Sequence, residues 1–223
     1  MQTAAVVLVL TLPLTWLFIG GAVYRRRRDG RLAPPLLRAV AYDVTAVAVA
    51  LAVVVVGDVP RVSPSVGSPG PVLGVVAGIA GGLALFSIYA RARPPAPSSV
   101  APRLRRFAVQ GGVTSITSVA EEIAWRGVAL GTALTVWEWS EAGAVASTAA
   151  LFGLLHVGLG GLRAVVTHTV TGAILGVTYV ATGTLVVPIV VHVVYNLAVI
   201  ARRLSLQAEQ ASGDSSVVDA LAR

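Results

Sequence analysis

Seven runs of this chain stay apolar over the length that a lipid bilayer demands of a helix, and they leave little room for another architecture. A spanning helix needs about 20 residues. The runs cover about 4–23, 36–57, 72–90, 108–137, 142–159, 162–180 and 184–201, with ends good to a few residues. Inside lipid no water serves the backbone, so a spanning segment satisfies its own amide groups as a helix. Only 12% of the residues are charged and 56% are hydrophobic, too few charges to coat a soluble domain of 223 residues. The expected fold is all-α, a polytopic membrane helix bundle of about seven transmembrane helices.

Charge sets the expected orientation. The first run is followed at once by RRRRDGR (25–31). Positive charge after the apolar run, rather than before it, marks a retained helix with its N-terminus outside and not a signal peptide. With that start, 15 of the 17 arginines fall at cytoplasmic ends, Arg61 falls in an outer loop, and Arg126 lies within the fourth run. This is the bias of the positive-inside rule. It predicts a multi-pass protein of the cell membrane with a cytoplasmic C-terminus. The net charge of +7 raises nucleic acid as a partner, but the arginines flank apolar runs and fit lipid headgroups better. Cys is absent, which removes disulfides and thiolate metal sites.

Residues 58–71 and 92–102 read as loops, and GLGG (158–161) and ATGT (181–184) read as short links. Gly74, Gly78 and Gly82 form a small-residue ridge that lets another helix approach closely. Gly111–Gly112 is expected to break the fourth helix, and the polar tail from about 204 to fray or lie on the surface. The chain divides into N-terminal helices (1–110), a core (111–203) and a tail (204–223), integrated in one membrane domain.

Few polar side chains fall inside the runs. Glu121, Glu122 and Arg126 lie in the fourth, His156 in the fifth, His168 in the sixth, and His192 with Asn196 in the seventh. An ionisable group at the bilayer centre costs roughly 2.5–3.5 kcal/mol on insertion scales, so several on consecutive helices suggest one internal site. Residues four apart share a helix face. Glu122 and Arg126 can therefore pair and hold each other, and His192 and Asn196 can face one spot. Glu121 points about 100° away from Glu122, and a carboxylate in low dielectric suits proton transfer near neutrality. Glu121 is the expected chemical residue. His168, flanked by Thr167 and Thr169, reads as structural.

Such a set supports more than one chemistry. A glutamate and a histidine can deprotonate water while His192 and Asn196 stabilise an oxyanion, which makes a site for splitting an amide. Alternatively Glu121, His156 and His192 form a ligand set for one divalent metal such as zinc, although HExxH is absent. A Glu and His chain can also carry protons or ions in a transporter.

EEIAWRG (121–127), FGLLH (152–156) and HVVYN (192–196), in this order, resemble the three motifs of the CPBP intramembrane proteases. This is the family of CAAX prenyl proteases and bacteriocin-processing (Abi) proteins. The resemblance covers about residues 115–200. It implies an intramembrane endopeptidase acting on a membrane-associated protein or peptide. By position, Glu121 with His156 would activate water, His192 and Asn196 would form the oxyanion side, and Glu122 and Arg126 would hold the site. No cofactor is required in the glutamate-dependent form, and one metal in the alternative. Trp125 stands where the family more often has Phe or Tyr. A non-catalytic relative that binds or shields a membrane peptide is the alternative function. One difficulty is depth: in these spans His156 and His192 differ by about 10 Å along the membrane normal. The site is expected in the inner half of the membrane, open to the cytoplasm or to lipid.

Overall fold

The computed structural model describes residues 48, 62–64, 69–89 and 101–221. The first two apolar runs, with the Arg-rich stretch between them, lie outside the described residues. Among the described residues the chain is all-helical. Helix α1 (Pro71–Tyr89) opens on a proline, whose missing N–H falls where a helix has no use for it. Helix α2 (Ala101–Glu122) passes into a π-helical segment (Ile123–Leu130) and then into the short α3 (Gly131–Thr135). After a tight connection, α4 (Glu141–Leu155) starts at Ser140, whose hydroxyl accepts the Gly143 N–H at 3.3 Å. Helix α5 (Val157–Thr182) ends at Gly183, where φ is 64° and the N–H returns to the Tyr179 carbonyl at 2.8 Å. Helix α6 (Val186–Leu221) carries Pro188 in its first turn, where no helical hydrogen bond is lost.

Side-chain register gives the directions. Gly153 lies against Val165, Gly172 against Ala149 and Gly176 against Val145, so α4 and α5 form an antiparallel hairpin. Gly74, Gly78 and Gly82 meet Val187, Val190 and Val194, so α1 runs parallel to α6 along the predicted ridge. Glu122 meets His192 and Ser118 meets Asn196, so α2 runs antiparallel to α6. The helices thus alternate up and down.

Polarity is distributed in reverse of a soluble protein. Leu162, Val166, Val170, Ile174 and Val177 form an exposed stripe along α5, while Glu121, Glu122, Arg126, His156 and His192 are buried. Lipid tails cover such a stripe at no cost, and only the protein interior can partner the charges. Among the described residues, Pro71–Ile88, Gly161–Thr182 and Val186–Gln207 are long and apolar enough to cross a membrane. Helix α2 carries Arg103, Arg105, Arg106, Glu121 and Glu122. Helix α4 has 15 residues and rises about 22 Å, short of a hydrocarbon core of about 30 Å.

Three expectations are corrected. Gly111–Gly112 does not interrupt α2, because Gly111 makes room for Leu197 rather than bending the chain: a Cβ there would sit 2.8 Å from Leu197 Cδ2. The helix departs from α geometry later, at Ile123–Leu130. GLGG is not a link either. The chain turns at His156, where φ is −87° and ψ is 2°, and residues 158–161 already belong to α5. Of the two expectations for the tail, to fray or to lie on the surface, the first does not hold from 204, since α6 stays helical to Leu221.

The ridge makes a testable demand. A Cβ on Gly78 would lie 2.6 Å from Val190 Cβ and 3.2 Å from the Val187 carbonyl oxygen, whereas one on Gly112 would meet nothing within 4 Å. Gly78→Val should cost about 1–3 kcal/mol through overpacking, whereas Gly112→Ala should be neutral or stabilise by up to about 1 kcal/mol. Thermal unfolding of the purified protein in detergent measures both.

Candidate active site

Two helices meet at the centre of the site through a matched pair of i, i+4 positions. On α2, Ser118 and Glu122 lie one turn apart; on α6, Asn196 and His192 do the same. Because the helices are antiparallel, the pairs face each other as two rungs. Asn196 Nδ2 donates to Ser118 Oγ at 2.9 Å, and Ser118 donates to the Thr114 carbonyl at 2.8 Å. In the other rung His192 Nδ1 lies 2.8 Å from Glu122 Oε1.

Glu122 is fully buried. Its Oε1 also accepts from Arg126 Nη1 at 2.9 Å, and Arg126 Nη2 donates to the Gly172 carbonyl on α5 at 3.1 Å. An oxygen paired with the Arg126 guanidinium is an acceptor, so His192 presents Nδ1–H to it. The predicted Glu122–Arg126 pair is present, and it ties α2, the π segment, α5 and α6 together. The π segment begins at Ile123, between the two partners, and its wider i→i+5 bonding is the kind of departure often found at functional sites.

Glu121 does not point wholly elsewhere. Its Oε2 lies 3.7 Å from His192 Nε2, so one imidazole meets both neighbouring glutamates, one at each nitrogen. That distance is too long for a direct hydrogen bond, and a water touching both atoms would sit to one side of the line between them.

His156 arrives from the turn between α4 and α5. Its Nδ1 lies 2.7 Å from the Phe152 carbonyl oxygen, which can only accept, so Nδ1 carries the proton and Nε2 is the nitrogen on the far side of the ring. His156 stands within electrostatic reach of Glu121, His192 and Arg126. The expected separation of His156 and His192 is not seen: their ring centroids lie 4.6 and 6.3 Å from that of Phe152, so the two stand close together. Phe152 is the hub. It is buried, with its ring centroid 4.6 Å from that of His156, 6.3 Å from His192 and 5.8 Å from Trp125, and with Arg126 Cζ 4.8 Å above its face.

The structure thus brings Glu121, Glu122, Arg126, His156 and His192 to one buried place, with Asn196 one turn along α6. His168, read from the sequence as structural, stands closer than expected, its ring stacked on that of His156. Sequence reasoning missed Ser118, although its four-residue spacing from Glu122 mirrors that of His192 and Asn196. It also missed the Gly172 carbonyl, for which a sequence carries no signal. Among the described residues no group of three His, Asp or Glu side chains has the geometry to hold a metal ion. The second-row contacts are nevertheless those found behind metal-bound imidazoles: Nδ1 of His156 faces a carbonyl and Nδ1 of His192 a carboxylate.

Residues 106–198 match the family model described as type II CAAX prenyl endopeptidase Rce1-like. Over these residues the chain matches the CAAX protease family. The matched segment contains all six candidate residues, from Glu121 to Asn196, leaves α1 outside and is shorter than half of the chain. No curated protein and no solved structure matches the chain.

The ion pair at the base of the site predicts a stability effect. Arg126→Met would leave the Glu122 carboxylate buried without its cation, which costs about 3–5 kcal/mol. Adding Glu122→Gln should return part of that loss, because the uncompensated charge is then gone. Unfolding midpoints of the two variants in detergent test the coupling.

Proposed function

We propose that this protein is an intramembrane glutamic endopeptidase that hydrolyses a peptide bond of a membrane-associated protein or peptide. The observation that supports it most is the convergence of Glu121, His156 and His192 from three separate helices, within the CAAX-protease segment. Glu121, with His156, takes a proton from a water held between Glu121 and His192. The resulting hydroxide attacks the scissile carbonyl carbon. The second N–H of the Asn196 amide stabilises the oxyanion, joined by His192 once Nε2 as well as Nδ1 carries a proton, and the proton taken from the water passes to the departing amine. Glu122 and Arg126 keep His192 and the π segment in register.

Seven membrane crossings, an N-terminus outside and a cytoplasmic C-terminus belong to the same proposal. The up-and-down order of α1, α2 with α3, α4, α5 and α6 supports it when the two apolar runs before residue 58 are added. The catalytic core is taken as 111–203, with 1–110 and 204–223 on either side. The short α4 favours a site that opens toward the cytoplasmic half of the membrane or sideways to lipid.

A metal-dependent form of the same reaction is the second reading, favoured by the anchored Nδ1 atoms of His156 and His192. There Glu121, His156 and His192, which do not stand at ligand geometry in this structure, would have to close together around one divalent ion such as zinc, which would supply Lewis-acid chemistry.

A C-terminally prenylated peptide reporter in liposomes tests the proposal. Glu121→Gln should lower kcat by about 10²-fold or more with the unfolding midpoint kept, as loss of a general base does. Unchanged activity in that variant would favour a peptide-binding or shielding protein. In the same assay a strong chelator should leave the wild-type rate unaltered; loss restored by zinc would favour the metal reading.

A further inference from the structure

All three histidines of the chain gather around Phe152, and the proposed mechanism uses only two of them. The third, His168, is half-buried on α5. Its ring lies flat on that of His156, with centroids 3.7 Å apart and planes 14° apart, and meets the edge of Phe152 at 6.0 Å. His156 itself sits at a turn between two helices, outside the regular backbone of either. The bond from Nδ1 to the Phe152 carbonyl fixes its tautomer and anchors one edge of the ring. A flat neighbour bears on the face of the ring and limits its tilt about Cβ–Cγ.

The backbone is shaped to bring this neighbour in. Gly153 follows Phe152 on α4, and a Cβ there would lie 2.6 Å from the Val165 carbonyl oxygen and 2.8 Å from the Thr169 nitrogen. Only the absence of a side chain lets α5 come this close, at the level of residues 165–169 where His168 projects. The approach of the two helices and the stacking of the two rings are therefore one feature.

We propose that His168 is a positioning residue, whose imidazole stacks on His156 and holds the plane in which His156 Nε2 serves the water at Glu121. The inference rests on the hydrolytic reading given above. It assigns His168 the role of a flat wall, acting through its ring and not through a proton.

Two measurements test it. With histidine-selective labelling in detergent, the three ring systems give three resolvable sets of NMR signals. His168→Ala should shift the His156 ring signals, because the ring current above them is gone, and His168→Phe should leave them close to their wild-type positions. In the reporter assay His168→Ala should lower kcat by about 10- to 100-fold, as loss of alignment does, with KM within about twofold. His168→Phe should recover most of that loss. Gly153→Ala, which keeps all three imidazoles and pushes α5 away, should resemble His168→Ala in both measurements. The proposal is overturned if His168→Ala leaves the His156 signals or kcat unchanged. It is overturned equally if His168→Phe is as impaired as His168→Ala, since a nitrogen and not a flat ring would then be what matters. Should the reporter stay intact with wild-type protein, the hydrolytic reading fails while the NMR signals still decide the stack.

Discussion

Glu122 is the group on which the rest of the site depends. A carboxylate sealed inside an apolar bundle is unstable unless cations and donors meet it; Arg126, one turn along, and His192 of α6 both meet Oε1, while the buried Oε2 has no hydrogen-bond partner. Arg126 reaches it from the π segment and anchors in turn to the Gly172 carbonyl of α5. His192 reaches it from α6. The free energy that would be lost by leaving this charge alone is what fixes the relative position of α2, α5 and α6. Hydrophobic burial cannot do this in a membrane, because lipid tails are as apolar as the leucines and valines that face them. Hydrogen bonds and close packing have to provide the specificity.

The same reasoning explains the use of glycine at the interfaces. Between α1 and α6, and again between α4 and α5, glycines let one backbone lie almost against the next helix. Close approach supplies the dispersion contact that lipid would otherwise provide equally well. It also fixes axial register to within one turn, which an imidazole needs if its nitrogen is to meet a particular oxygen. The short α4 adds the last element. Its 15 residues end at His156, whose ring meets Phe152 beside His192.

Much of this could be read from residue spacing. The Glu122–Arg126 pair, the shared face of His192 and Asn196 and the glycine ridge of Gly74, Gly78 and Gly82 each follow from the helical repeat, which is a local property. What spacing could not supply was non-local or departed from the repeat. The π segment hides in IAWRGVAL, a stretch with no proline and one glycine that carries no local mark of a departure from the α repeat. The turn at His156 was misplaced onto GLGG, since glycine is the stronger punctuation in sequence while the real turn falls on the residue the site requires. His168 was set aside because its threonine neighbours offered a local explanation, whereas its real neighbour is a ring on the preceding helix.

The central claim is that one carboxylate and the imidazoles around it act on water to cut a peptide at the membrane. The most direct measurement compares the C-termini of membrane-associated proteins, by mass spectrometry, in cells carrying the wild-type gene and in cells carrying the Glu121→Gln form at equal abundance. The account predicts shortened C-termini that appear only with the wild type. Identical C-termini in the two cell populations would contradict it.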